Sequence, residues 1–450
     1  MSTKEAITKM QAAIIAIIII VAVIAGAAYY YTTLPGPTPT PTPTPTPVRP
    51  TPTPTPTPTP KPTPPPKDKI VIGVVHTMSG PVAPVCALHH AYYSMIVEDY
   101  NAKGGIYVPE YGRRIPIELK AYDDEWSVEK MLLLIERLMT VEKVDLMFAP
   151  WGTEFNFAAF PLFEKYKYPV VALTVGSDVI CERMKRGEYT YSFITLGPPY
   201  ETGEEVAEML TYVNKNISPI RRVGIIFHSA QHGVEYAAAI YRELYIAGFE
   251  IPVYEGYPMD ITDFTPLITK LKAANVDVVI KAGYEAALFL TACKAQAFNP
   301  KLIFCGPTVE VPGLVFGPYG FTPEFLKGVC YYDGWPATAY NTPKLKQWAE
   351  DHEKRLGYPP FPASATFYAG LEALFQAVEK VGLNREKIRD ALATQSFDTI
   401  LGKFKLRIGA SPQSEVAGTL TQWQGGTMME VVWPREVASA EIICPKPPWP

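Results

Sequence analysis

Twice along this chain a short apolar strand is followed by a helix and then by another strand, and that rhythm allows few architectures. IVIGVV at Ile70–Val75 is apolar throughout; after the turn SGP a helical pattern runs to Asn101 and stops at Gly104-Gly105. IPIELKAY alternates as a strand, Val128 to Val141 carries apolar residues at helical spacing, VDLMFAP is a buried strand, Phe157 to Tyr166 is helical and PVVALT is a further strand. The rhythm restarts at RRVGIIFH (Arg221–His228). A helix from about Gly233 to Ala247 follows, then a strand at Ile251–Gly256, the helix FTPLITKLKAA capped by Asp263, the strand VDVVIKAG, a helix from Tyr284 and the strand KLIFCG. Strands joined by helices build parallel sheets covered on both faces. Two such units in series predict an α/β chain of two Rossmann-like lobes. Ligands of open α/β sheets bind beyond the carboxyl ends of the strands, so a cleft between the lobes is the expected site.

Before this body lies a tract of alternating Thr and Pro from Pro37. Proline fixes φ and donates no backbone hydrogen bond, which leaves an extended, solvated polyproline II path. From Pro35 to Lys67 it reaches on the order of 100 Å, so it is a spacer. At its base, Ala12–Tyr31 (AAIIAIIIIVAVIAGAAYYY) is uncharged and has the length that crosses a bilayer core as a helix. Lys4 and Lys9 precede it and no charge follows until Arg49, which puts the N-terminus in the cytoplasm and the body outside. Ala25-Gly26-Ala27 leaves a cleaved signal sequence open as the alternative.

Net charge is −4 and basic residues are scattered, which excludes nucleic acid as a partner. Six cysteines show no CxxC spacing, and buried free thiols are expected. His228 and His232 straddle a strand-to-loop junction and not one helix face, so no metal is expected there. No G-x-S-x-G elbow, HExxH or phosphate-binding loop is present, and the chain is expected not to be an enzyme and to need no cofactor.

HTMSGPVA, YNAKGGI, AYDDEWS, PVVALTVGS, DFTPLITKLKAANVDVVIKAGYEAA, FCGPTVE and LATQSFDTILGKF stand in an order and spacing that resembles the branched-chain amino acid (Leu/Ile/Val-binding) type of ABC-transporter solute-binding proteins, over Asp68 to about Val432. The resemblance implies a periplasmic binding protein type I fold with two lobes joined by a three-strand hinge, crossing near Thr195, Asp333 and Thr419. The residues divide the N-terminal part into a cytoplasmic N-terminus (1–11), a transmembrane anchor or signal sequence (12–31) and the linker (32–67), and the resemblance divides the body into lobe 1 (68–195 and 334–418) and lobe 2 (196–333 and 419–450). It implies capture of a small amino acid, or a related carboxylate or amide, for delivery to permease subunits with a cytoplasmic ATPase. Such a tether suits a cell with one membrane and no closed periplasm, and an archaeal source is expected. A ligand-sensing extracellular domain of a receptor-like system is the alternative.

Helix N-termini offer outward-pointing N–H groups to a carboxylate. By resemblance, Trp151, Gly152 and Thr153 form one ligand loop and Thr174, Val175, Gly176 and Ser177 the other. Gln231, His232 and Tyr284 come from the second lobe. Relatives often place a glutamate directly after Gly-Pro to take an ammonium; here that position is Thr308, with Glu310 two residues on and Glu285 beside Tyr284 as substitutes. Val85 stands where an aromatic residue often caps the side-chain pocket.

Overall fold

The computed structural model describes residues 67–80, 82–332, 343–413 and 420–450. The expected anchor at Ala12–Tyr31, nearly all of the spacer, and the crossings near Asp333 and Thr419 lie outside the described residues. Among the described residues, no helix is long and apolar enough to cross a membrane.

The first half of the body contains β1 (Ile70–His76), a small hairpin of β2 (Ile106–Val108) and β3 (Arg113–Ile115), then β4 (Ile117–Asp123), β5 (Leu146–Met147), β6 (Val170–Ala172) and β7 (Ser192–Ile194). Strand β1 pairs in parallel with β4 and β5, and β6 pairs in parallel with β7. VDLMFAP gives a ladder of only two residues, which Phe148 extends by donating its N–H to Gly73 at 2.8 Å. Between the strands run α1 (Ala83–Asn101), α2 (Val128–Thr140), α3 (Thr153–Tyr166) and α4 (Asp178–Lys185). Helix α2 starts where Ser127 accepts the Lys130 N–H, satisfying one of the orphan donors of a helix start. Helix α3 starts four residues before the expected Phe157, because Gly152 adopts φ +89° and turns the chain directly from loop into helix.

The chain leaves β7 through Thr195 to α5 (Pro199–Asn216) and enters the second unit: β8 (Arg222–His228), α6 (Gln231–Ile246), β9 (Glu250–Tyr257), α7 (Thr265–Ala273), β10 (Val278–Ala282), α8 (Ala286–Ala295), β11 (Leu302–Gly306) and β12 (Val329–Tyr331). These five strands form a parallel sheet in the order β12-β11-β10-β8-β9. Successive side chains of a strand point to opposite faces. Thus Ile225 packs with Val206, Leu210, Tyr236 and Ile240, whereas Ile226 packs with Ile268, Leu271 and Phe289. At about 1.5–3 kcal/mol for each large apolar side chain removed from water, both faces need this cover. Asp263 does accept the Thr265 N–H at the start of α7, at 2.8 Å.

The rest of the chain visits both halves. The helix Ser364–Val381 is buried along most of its length against the first sheet, in one cluster with Ile70, Ile72, Phe148 and Phe193. Strands β13 (Phe397–Thr399), β14 (Gly402–Arg407) and β15 (Ala410–Gln413) form a small antiparallel sheet. Then β16 (Leu420–Trp423) and β17 (Met429–Trp433) return to the second sheet, with β16 antiparallel to β12. Cys86, Cys181, Cys293, Cys305 and Cys330 are buried free thiols, and Cys444 is a half-buried one.

Candidate functional site

The carboxyl ends of strands from both halves of the body face one partly open cavity of about 60 Å³. That is room for a few water-sized groups or one compact solute. On the first side, Trp151 follows the strand end at Pro150 and is almost fully buried. Its ring packs against Trp126 (5.6 Å between centroids), His89 (5.8 Å) and Tyr284 (5.1 Å). The Gly152 N–H donates to the Thr174 hydroxyl oxygen at 2.8 Å, tying the loop after β5 to the loop after β6. Trp151, Gly152 and Thr174 line the cavity.

Their neighbours stand behind the wall and do not line it. The Thr153 hydroxyl oxygen accepts the Gly176 N–H at 3.3 Å. Val175 is wholly buried in the core with Phe155 and Ile180. An added Cβ at Gly176 would overlap the Tyr236 ring, so glycine permits that close approach. Ser177 caps α4 by accepting the Ile180 N–H at 3.1 Å and donates its own hydroxyl to Glu235 at 2.7 Å.

On the second side, α6 begins immediately after β8. Gln231 turns its amide to Glu235, away from the cavity, while His232 lines it. The His228 Nε2 accepts the Gly233 N–H at 2.9 Å, and burial lowers His228 to about 3. The Tyr284 ring sits among Trp151, His228 (4.7 Å) and His232 (5.6 Å, stacked). Thr308 occupies the cavity edge at φ +96°, a backbone state that costs a side chain on the order of 1–3 kcal/mol. Its hydroxyl donates to the Tyr284 carbonyl at 2.9 Å, which fixes the two loops to each other. Of the two substitute carboxylates, Glu310 lines the cavity at 5 % exposure. Glu285 does not line it. It accepts the Tyr257 hydroxyl at 2.8 Å and pairs with Lys281 at 3.2 Å.

Sequence reasoning missed two contributions. Glu154, in the first turn of α3, accepts the His232 N–H on Oε1 and the Tyr284 hydroxyl on Oε2, each at 3.1 Å. Its carboxylate therefore joins the two sides and faces the start of α6, where a helix favours negative charge. Burial raises its pKa, and the hydrogen bonds oppose that rise. The only signal in the sequence is an acidic residue beside a ligand loop. The second contribution is a distant aromatic wall: Phe361, Ala363 and Phe367 close the cavity with Tyr331, Val85 and His89. His89 donates from Nδ1 to the Val85 carbonyl at 3.2 Å if that nitrogen carries the proton, and its ring lies 5.4 Å from Phe367. The motif FPASATF carries no chemistry of its own and announces itself only through the fold.

The acidic run Asp123-Asp124-Glu125 is a loop organiser. Asp124 accepts the Thr77 hydroxyl (2.6 Å) and the Trp126 N–H (2.9 Å); Asp123 accepts the N–H groups of Met78 and Glu125.

Comparisons with known proteins agree with this geometry. A family profile described as "Periplasmic binding protein" matches residues 69–427. The chain is similar to Leu/Ile/Val-binding protein homolog 7 of Brucella abortus, at 24% identity over 402 residues covering 84% of this chain and 94% of that one. Among solved structures it is similar to the branched-chain amino acid transporter substrate binding protein LivJ of Streptococcus pneumoniae in complex with isoleucine (TM-score 0.68, 19% identity, 84% of this chain and 100% of that one). It is equally similar to a solute binding protein of an ABC transporter from R. palustris in complex with benzoate (TM-score 0.68, 16% identity, 84% and 97%). At such identities the structural likeness shows the fold.

Proposed function

The chain belongs to the periplasmic binding protein family, and from that premise we propose that it captures one small solute between its two sheets and delivers it to an ABC-transporter permease. The observation that carries this reading is the partly open, ring-lined cavity at the carboxyl ends of strands from both halves of the body. A concave, mostly apolar site with a few convergent polar groups is what small-molecule binding requires. The polar groups around it hold the loops in place, so binding is assigned here and catalysis is not.

The mechanism is closure. The two sides exchange between apart and together, and the solute binds the joined form better. Glu154 with Tyr284 and His232, and Glu235 with Ser177 and Val179, are the contacts that must part for the solute to enter. The two structural relatives bind isoleucine and benzoate, and a small solute of that kind is the one proposed here, an amino acid or a related carboxylate or amide.

The N-terminal segment completes the reading. Held by Ala12–Tyr31 and the Thr/Pro spacer, the body stays outside the cell within reach of the permease, and confinement raises its effective concentration there. Mass spectrometry of small molecules released on denaturing the purified full-length chain tests the binding reading. One solute near equimolar amount is expected. An empty protein that also shows no thermal shift with amino acids, amides, amines or organic acids would overturn it.

A further inference from the structure

Each half of the body lends a carboxylate to the other. Glu154, in the first turn of α3, accepts the His232 N–H and the Tyr284 hydroxyl of the second side, each at 3.1 Å. Glu235, on α6, accepts the Ser177 hydroxyl (2.7 Å) and the Val179 N–H (3.1 Å) of the first side, and also the amide of Gln231 on its own helix. Each acid thus sits at a helix start of the opposite half, where negative charge is favoured. A third carboxylate, Asp178, begins α4 and accepts the Tyr200 N–H at 3.2 Å from the first turn of α5, past the crossing near Thr195.

Joining the sides therefore gathers acids from α3, α4 and α6 along one rim. The charges that face them do not cancel this. Lys185 of α4 pairs with Glu182 at 2.8 Å, and Arg242 of α6 pairs with Glu243 at 3.4 Å. Glu201, in the first turn of α5, is a further carboxylate and accepts the Ser411 hydroxyl. Burial keeps His228 and His232 uncharged at neutral pH, and Lys281 pairs with Glu285 at 3.2 Å. Burial raises Asp178 to about 6 and lifts Glu154 above its ordinary value, and repulsion from Glu235 adds to both rises. With the sides apart, water surrounds these groups and the like charges separate, which returns them toward ordinary values.

We infer that the two sides join with uptake of protons: the exchanged carboxylates form an acid-favoured latch, and the body closes more readily in mildly acidic than in neutral surroundings. This rests on the closure reading above and adds to it a dependence on pH. A group raised on joining keeps its proton in the joined form where the open form has already lost it. For Asp178 that window runs from 3.8 to about 6, so the gain is full below it and is lost as pH rises through its upper end. Glu154 acts in the same direction, and the neighbouring acids titrate as a group.

The test is amide hydrogen exchange on the solute-free full-length chain at about pH 5 and about pH 7.5, corrected for the intrinsic rate at each pH. The His232 and Val179 N–H groups donate across the cleft, so their protection reports joining. The Met131 N–H, bonded to the Ser127 carbonyl within the first half, reports opening that does not involve the cleft. Relative to Met131, the two cleft amides should be roughly tenfold better protected at the lower pH. Asp178→Asn, which keeps the shape without the charge, should raise their protection at the higher pH and bring the ratio within about threefold. Glu235→Gln, which removes the repelling charge from the other side, should also shrink the ratio, so the outcome does not hang on one variant folding. A ratio near one in the parent chain, better protection at the higher pH, or a ratio that neither variant shrinks would overturn the latch while leaving closure intact. Cleft amides that exchange in step with Met131 under every condition would show that the sides do not part, and would overturn closure as well.

Discussion

Tyr284→Phe removes one oxygen and tests whether Glu154 holds the two sides together. The ring keeps its contacts with Trp151, His228 and His232, so the apolar packing of the site is retained. What is lost is the hydroxyl donated to Glu154 at 3.1 Å. A hydrogen bond to a charged group contributes about 1.5–3 kcal/mol. Glu154 is already raised by burial, so part of the gross gain offsets its desolvation and the lower end applies. About 1.5 kcal/mol is a factor of roughly 10 in an equilibrium constant. Because the bond exists only when the sides meet, the loss falls on closure: solute affinity should drop roughly tenfold and small-angle scattering of the free protein should show a more extended particle. Melting temperature should change little, since the hydroxyl belongs to no core cluster. In a double-mutant cycle with Glu154→Gln, the coupling should be on the order of 1 kcal/mol. Affinity within twofold of the parent, or effects of the two changes that simply add, would refute the idea that this bond acts across the cleft.

A second clasp runs from Glu235 to the Ser177 hydroxyl and the Val179 N–H; Glu235→Ala should speed hydrogen exchange at Val179 and Ile180 by roughly tenfold, and unchanged protection would remove Glu235 from that role. Gly233→Ala would press a Cβ onto the His228 ring and carbonyl, so a loss of about 1–3 kcal/mol in urea unfolding is expected, and a stabilised variant would show that α6 can shift to make room. Burial raises Glu372 from 4.5 to about 7, so the folded chain holds a proton there that the unfolded chain has released between those values. Stability from this group is therefore present at acidic pH and falls as pH rises from about 4.5 through about 7, by at most about 3.5 kcal/mol. Glu372→Gln should flatten that part of the stability–pH curve, and an unaltered curve would assign the slope to other groups.

The order of strands and helices was legible because it rests on local period: Ile70–His76 and Val278–Ala282 are continuous apolar runs, and Val128–Thr140 repeats its apolar residues at helical spacing. Boundaries moved where single residues decide them, as at Gly152, whose positive φ starts α3 earlier than the apolar pattern alone implies. The strand-end rule pointed to a cleft, and the family resemblance to Trp151, Gly152, Thr174, His232, Tyr284, Thr308 and Glu310, all of which line one cavity.

What the sequence determined by itself is thus the alternation, the parallel pairing it forces and the loops at which a ligand must sit, because neighbouring residues carry that information. Only the tertiary structure decided which polar groups in those loops remain for a ligand. Thr153 and Ser177 have the right chemistry and the right positions, yet their hydroxyls are engaged by Gly176 and Glu235. Glu285, beside Tyr284, pairs with Lys281 and accepts the Tyr257 hydroxyl and so is held away from the cavity. Phe361 and Phe367 close a pocket opened some two hundred residues earlier by Trp151. A hydrogen bond is consumed by whichever partner folding brings within about 3 Å, and that partner is set by packing across the whole chain and not by spacing along it.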